Sequence, residues 1–475
     1  MKWKLGFLSP RHLWMRSDGW LAQISTGVRR YVSGQLIRNA ASLYGTTIVT
    51  SIFGFFYWFI AARMVPASAV GIAAAIQASA QFLALVCVLG LSTFLISELA
   101  ADRTHARTLI LTAAVGAGAF AIVFSVVAAF ALGAMSSTLA AGLTIPIGIL
   151  VFALLAAFST VLQITDDSCI GLMRGDLQLR RNTIFAISKL ALLPLLIVLW
   201  PSVAGTELEV AWLAGLVISL VAVGWSLMRL TRGAPARLDF RRFIDRRRLM
   251  MGHHSLNLSI QSPRFLIPIV VTAMLGGQAN AAFTAAILVV SFISIIPVHL
   301  SIVLFALTPG DEASLRREVH KTMRICLVLA IASAPFFILF SSTILGFFGP
   351  SYQDATAAFA ILGLTTYPLA VKAHYVAISR SRGHMQQAAN LSFIGGCLEV
   401  GLAAAGAAVY GLTGVALGYL LAVVIEAALF APVVFGVLRA PILPELANEP
   451  GSGDGEESDP SAGGNADSEV ADSPD

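Results

Sequence analysis

Eight ionisable residues, Asp166, Asp167, Lys189, Arg264, Lys372, His374, Glu399 and Glu426, fall inside long apolar stretches of this 475-residue chain. An ionised side chain at the centre of a bilayer costs about 2.5–3.5 kcal/mol on insertion scales, so each needs a partner or a task. Guanidinium and ammonium groups at such depth attract an anion, and the planar arginine fork matches a phosphate. Carboxyls in the same setting can take up and release a proton. The cations Arg264, Lys372, Lys189 and His374, with Arg63 just beyond the first apolar stretch, form a candidate substrate-binding set. The acids Glu399, Glu426, Asp166 and Asp167 form a candidate ion-coupling set. No residue stands out as catalytic.

Spacing sorts these candidates. Asp166 lies eight residues before Arg174, and Lys189 eight after Arg181. Both then stand roughly 12 Å from the same end of adjacent helices. An Asp166–Lys189 ion pair and a cavity-facing Lys189 both fit that placement. Arg264 sits mid-stretch between Pro263 and Pro268, which disturb the local hydrogen-bond ladder. With no acid in its own stretch or the next, Arg264 is expected to face a cavity, a long-range structural pair being the alternative. Lys372 and His374 are two residues apart and so on different helix faces, with Lys372 expected inward. Glu399 and Glu426 near the middle of neighbouring stretches fit either proton coupling or protonated packing residues. Gln77, Gln81, Asn257, Gln261 and His299 fit helix–helix hydrogen bonds or a hydrophilic cavity.

The elements that must position these groups are membrane helices. A helix needs about 20 apolar residues to cross a bilayer. Twelve such spans are expected near 39–62, 68–97, 109–133, 145–171, 183–200, 210–228, 251–275, 280–307, 325–348, 355–379, 387–409 and 413–437. Of the 31 Lys and Arg residues, 27 fall before the first span, after the last, or in alternate gaps. By the positive-inside rule those gaps and both termini are cytoplasmic. The expected fold is therefore an all-α polytopic membrane protein with about twelve transmembrane helices, N-in and C-in. A composition 57% hydrophobic and 12% charged excludes a water-soluble domain of this length.

The first 35 residues contain no apolar run followed by a small-residue cleavage site, so no signal peptide is expected. Their mixture of Lys and Arg with Trp3, Trp14 and Trp20 fits an interfacial basic arm or a frayed tail. From Pro441 onward the chain holds ten acids and no base in a Gly/Ser/Pro-rich stretch, expected to be disordered. The formal +5 thus hides a body near +15, whose cytoplasmic excess would attract anionic membrane lipids rather than nucleic acid. Cys87, Cys169, Cys326 and Cys397 stand singly in apolar spans, without metal or disulfide spacing. No metal or cofactor is expected.

The chain also echoes itself. Arg174-Gly175-Asp176-Leu177-Gln178 through Asn182 matches Arg382-Gly383-His384-Met385-Gln386 through Asn390 at an offset of 208, and Met64-Val65-Pro66 matches Met274-Leu275-Gly276 at 210. Two six-span halves enter the membrane in the same orientation, giving a parallel repeat about the membrane normal. The organisation expected is a basic arm over 1–37, an N-lobe over 38–230, an Arg-rich linker over 231–249, a C-lobe over 250–440 and the acidic tail over 441–475. Such two-lobed proteins bind substrate between the lobes and alternate access by rocking.

On these features the chain resembles the polysaccharide and oligosaccharide flippases of the MOP exporter superfamily, the Wzx-like lipid-linked saccharide flippases. The resemblance covers roughly residues 35–440. It rests on Arg38-Asn39-Ala40, on Ala61-Ala62-Arg63-Met64-Val65-Pro66 leading to Gly71, and on Asn257-Leu258-Ser259 through Pro263-Arg264-Phe265-Leu266. Asn280-Ala281-Ala282-Phe283 through Pro297 and Leu304-Phe305 complete it. The chain departs from the pattern at Pro263, where many relatives place an Asp, so Arg264 lacks that neighbour. The resemblance implies a transporter and no enzyme. Its substrate would be a polyprenyl-(pyro)phosphate-linked saccharide moved to the outer leaflet of a bacterial cytoplasmic membrane, for cell-surface polysaccharide synthesis. Polysaccharide polymerases and glycosyltransferases would be partners, and an ion gradient or membrane potential the energy source. The absence of GxxxxGK[ST] agrees with that source. Two alternatives are a MATE-type cation or drug exporter, and a scaffold of a cell-envelope assembly complex. Against the exporter, no acid occurs from Asn39 to Ala62.

Overall fold

The computed structural model describes residues 26–200, 205–233, 235–307 and 312–439. Most of the expected basic arm and all of the acidic tail lie outside those residues, as does the side chain of His299. Among the described residues every regular element is helical. In chain order these are α1 (Thr26–Met64), α2 (Ala67–Cys87), α3 (Leu91–Ala101), α4 (Ala106–Met135), α5 (Ser137–Gly142), α6 (Ile147–Gly171) and α7 (Gly175–Leu199). Then come α8 (Thr206–Leu230), α9 (Arg241–Leu275), α10 (Gly277–Leu307), α11 (Glu312–Phe348), a 3-10 turn (Pro350–Ala355), α12 (Thr356–Gly363), α13 (Thr366–Ser381) and α14 (Met385–Arg439).

Ten of these helices are long and apolar enough to cross a membrane, and the turn-α12 segment with α13 forms one further span bent by 47°. The 55-residue α14 holds two, because its backbone leaves helical geometry at Tyr410 and Gly411. The chain is thus a multi-pass membrane protein whose spans are compatible with the twelve read from hydropathy. The two parts of α14 fold back on each other through glycines. A Cβ at Gly406 would strike the Gly414 carbonyl, one at Gly414 the Gly406 carbonyl, and one at Gly418 the Leu402 carbonyl. Without a hydrophobic drive between helices in lipid, such close backbone approach is what holds them together.

Three spans differ from their sequence boundaries for local reasons. The second is interrupted where Leu89 and Gly90 take positive φ of 49° and 76°. Gly90 lies so close to the Met250 carbonyl that any side chain there would collide. The tenth breaks at Leu364–Thr365, where the Thr365 and Thr366 hydroxyls donate to the Leu362 and Gly363 carbonyls at 2.6 and 3.0 Å. Such local bonds bend a helix. The ninth begins at Glu312 rather than 325, as an amphipathic extension. There Leu315, Val319, Met323 and Cys326 are buried, whereas Arg317, Lys321 and Arg324 are exposed.

The backbone itself records the internal repeat. After α6, the amides of Leu172, Met173 and Arg174 donate to the carbonyls of Ser168, Ile170 and Cys169. After α13, those of Arg382, Gly383 and His384 donate to Ile378, Arg380 and Ser379, an offset of 210 throughout. The starts of α2 and α10, and of α7 and α14, are also 210 apart. The Arg-Gly echo at 208 is therefore two residues out of step. Gly383 takes the left-handed position that Met173, not Gly175, takes in the first half.

The two halves meet along α2, which packs on α9 and α10. At the face opposite the Arg-rich gaps, the Asn280 Nδ2 donates to the Gly71 carbonyl at 2.8 Å. Gly71 and Gly277 are packed there with no room for a Cβ on either.

Candidate functional site

The side chains of α6 and α7 form the first cluster. Arg181 Nε and Nη2 donate to the two Asp166 oxygens at 2.7 Å each, and Asn182 Nδ2 adds a bond to Oδ2 at 3.2 Å. Arg181 is 1% exposed. The expected Asp166–Lys189 pair is not formed. Because α7 starts at Gly175 rather than 183, Arg181 is already on the second turn of the helix and reaches Asp166 first. Asp167 hydrogen-bonds Ser92 of α3.

Lys189, two turns further along α7, is enclosed by aromatic rings. Its Nζ lies 3.6 Å from the Trp212 ring centroid, 4.5 Å from Phe185 and 5.1 Å from Tyr57. Lys189 is 3% exposed, so the cavity-facing alternative fails as well. Gly215 of α8 leaves the space its Cβ occupies. Ring faces replace a carboxylate as the partner of this ammonium. Nearby, the Tyr57 hydroxyl donates to the Leu208 carbonyl at 2.6 Å. Glu207 and Glu209, in the first turn of α8, are both 2% exposed, and the Glu209 oxygens have no hydrogen-bond partner among the described residues. Sequence reasoning passed over these two acids by starting the span at 210. Their flanking by Leu208, Val210 and Ala211 was the available signal.

In the second half Lys372 of α13 pairs with both Glu399 and Glu426, which stand on the two parts of α14, the Glu426 contact being 2.7 Å. Gly395 makes room for the Glu426 carboxyl. All three residues are buried. Lys372 is thus turned inward, as expected, but it is not a free cation. Its site holds two carboxyls against one ammonium, an excess of one negative charge when both are ionised. His374 is likewise engaged: Nδ1 faces the Ala370 carbonyl and Nε2 the Thr322 hydroxyl, both at 2.8 Å. Arg63 is exposed in the last turn of α1, apart from these clusters.

Arg264 differs from all of these. It lies eleven residues from the end of α9, about 16 Å by helical rise, and yet its side chain is not covered by the rest of the described chain. Its guanidinium is 4.9 Å from the Phe265 ring and interacts with Tyr419, and no carboxylate pairs with it among the described residues. Tyr419 lies near Arg264 and also near Glu399 and Glu426 of the acid–lysine cluster.

Below Arg264, toward the Arg-rich face, a cavity of about 400 Å³ opens between the halves. From the first half Gln81, Gln163, Asp166 and Asp167 line it; from α9, His254, Asn257, Gln261 and Phe265 do so. Steps of three and four residues put His254, Asn257, Gln261 and Arg264 on one face of α9, a stripe about 15 Å long. Asn257 is also held by Arg380, whose Nη2 donates to Oδ1 at 3.1 Å. Gln77, by contrast, is buried outside this lining with its amide unpartnered among the described residues. The lining offers many neutral donors and acceptors and two carboxyls, and Arg264 follows Gln261 along the same face of α9, beyond the lining.

No family model matches the chain, and no curated protein matches it in sequence. Solved structures do match. An inward-facing multidrug-resistance MATE transporter of the MOP superfamily superposes with a TM-score of 0.64 at 14% identity, over 85% of this chain and 99% of that one. A point mutant of the MATE transporter VcmN of Vibrio cholerae gives 0.61 at 15% identity, over 87% and 98%. A MOP-superfamily transporter of Pyrococcus furiosus, whose reversed binding-pocket polarity is described as suggesting a different function, gives 0.54 at 17%, over 85% and 96%. The chain has the fold of MOP-superfamily transporters.

Proposed function

We propose that this protein is a secondary transporter of a bacterial cytoplasmic membrane that flips a lipid-linked oligosaccharide, its (pyro)phosphate held by Arg264. The observation that carries this reading is the state of Arg264: an exposed side chain at membrane depth, with no carboxylate partner among the described residues. Of the remaining candidate cations, Lys189 is enclosed by rings, Lys372 is neutralised, His374 is bonded on both sides and Arg63 stands apart. A guanidinium donates a planar fork to phosphate. The amides and hydroxyls below it suit the hydroxyls of a saccharide, each of which needs a partner when desolvated. The Lys372–Glu399–Glu426 cluster supplies the coupling, since two carboxyls against one ammonium can take up a proton or a cation.

One observation favours a second reading, a MATE-type exporter of cations: among the described residues the cavity wall carries Asp166 and Asp167 and no lysine or arginine. Proteoliposome transport separates the two. With a fluorescent polyprenyl-pyrophosphate saccharide and outer-leaflet quenching, the wild type should flip the lipid. Arg264→Ala should slow flipping at least about tenfold, corresponding to loss of one charge-assisted bond pair. Uptake of a cationic dye that survives Arg264→Ala but fails in Asp167→Asn, with no lipid flipping, would establish the exporter instead.

A further inference from the structure

The linker between the halves is not a slack tether. Residues 235–240, outside any regular element, lie along α4, whose Thr108, Thr112 and Gly116 recur every fourth residue on one face. Thr108 Oγ1 donates to the Pro235 carbonyl at 2.7 Å, and the Asp239 amide donates to Thr112 Oγ1 at 2.9 Å. The Phe240 ring lies over Gly116, where a Cβ would strike it. Phe243 then packs edge-on against Phe94 of α3 at 5.3 Å, fixing the first turn of α9 to the first half.

This pinned strap presents two kinds of surface side by side. Arg232, Arg237 and Arg241 are exposed and have no carboxylate partner among the described residues. Arg242 is paired with Asp239 at 3.1 Å, and Asp245 is exposed nearby in sequence. Between the arginines, Leu238 and Ile244 are 55% and 57% exposed. At the adjoining end of α8, Trp225 is 60% exposed and carries the Arg229 guanidinium 4.9 Å over its ring. Such an aromatic–cation pair marks the headgroup level of a bilayer.

We propose that the strap, with the adjoining ends of α8 and α9, is a binding site for the headgroup of an anionic glycerophospholipid of the Arg-rich leaflet. The unpaired guanidiniums hold the phosphate, and Leu238, Ile244 and Trp225 contact the upper acyl chains. Charge complementarity selects the ligand: a zwitterionic lipid brings its own ammonium among the arginines, and a soluble anion leaves the apolar residues in water. None of these residues lines the cavity, so the site stands or falls separately from the transported substrate.

The test uses the full-length protein in neutral detergent, titrated with phosphatidylglycerol, phosphatidylcholine or inorganic phosphate while thermal unfolding is followed. Phosphatidylglycerol should raise the unfolding midpoint, and the other two should not. Arg232→Gln and Arg237→Gln should each raise the half-saturating lipid concentration by about fivefold, the effect of one surface charge at a membrane. Arg324→Gln, an exposed arginine on α11, should leave it unchanged. Leu238→Ser should weaken lipid binding too, which separates a lipid from its headgroup alone. If the strap variants do not fold, Arg229→Gln, which leaves the strap intact, takes their place. Equal shifts with phosphatidylcholine or with phosphate overturn the proposal, as does an Arg324→Gln effect as large as that of the strap variants.

Discussion

A guanidinium 1% exposed that forks onto one carboxylate is stable only as a pair. Arg181→Ala would leave Asp166 charged and without its main partner, and breaking a buried pair costs about 3–5 kcal/mol. The expected outcome is a large drop in the unfolding midpoint in detergent, much of it recovered in Arg181→Met/Asp166→Leu, where no charge remains. Equal loss in the single and double variants would assign the effect to packing. This pair also marks what could be read from the sequence. Asp166 was recognisable as an acid within an apolar span, but the polar run Arg174–Asn182 reads as a loop by hydropathy. α7 nonetheless begins within it, at Gly175, and the nearer arginine takes the partner assigned to Lys189. Glu207 and Glu209 escaped for the mirror reason, a helix beginning earlier than its apolar run. Arg264 could be recognised because nothing in its own span could neutralise it. That the Lys372, Glu399 and Glu426 side chains meet could not be read, since it depends on how three helices face one another.

At the scale of elements, hydropathy located every span yet missed how spans break and touch. The two-part α14 depends on glycine: the Gly406, Gly414 and Gly418 positions have backbone carbonyls of the other part where a side chain would go. Gly414→Val should therefore force the hairpin apart, with a cost of at least about 1–3 kcal/mol from overpacking. Because Glu399 and Glu426 stand on opposite parts of that hairpin, the same variant should also loosen the Lys372 cluster and impair coupling. Gly401→Val is the matched control, since nothing lies within 4 Å of its Cβ position. The comparison is a pair of thermal unfolding curves, and equal curves would remove the glycine contact from the account of this fold. The register of the repeat has the same origin. The sequence match at 208 followed residue identity, whereas the backbone repeats at 210, because a left-handed turn constrains one position and leaves its neighbours free.

For the whole molecule, the decisive question is what keeps the halves together on the side opposite the cavity. The answer on geometric grounds is the crossing of α2 and α10, where Gly71 and Gly277 approach too closely for side chains and Asn280 donates to the Gly71 carbonyl. Asn280 opens one of the short motifs on which the family resemblance rests, so this contact was present in the sequence as a letter but not as a contact. A net hydrogen bond is worth about 0.5–1.5 kcal/mol, and leaving a buried acceptor unmet costs about 1–3 kcal/mol. Removing it should therefore shift a rocking equilibrium by about fivefold or more toward opening on that face. The measurement places a single cysteine at Ala281, 1% exposed beside the crossing, in a background lacking Cys87, Cys169, Cys326 and Cys397. A membrane-impermeant maleimide added to that face should label it several-fold faster when Asn280→Ala is also present. Labelling at an unchanged rate would mean that the close glycine packing, rather than the asparagine, holds the halves closed. Gly71→Ala should then produce the acceleration that Asn280→Ala did not.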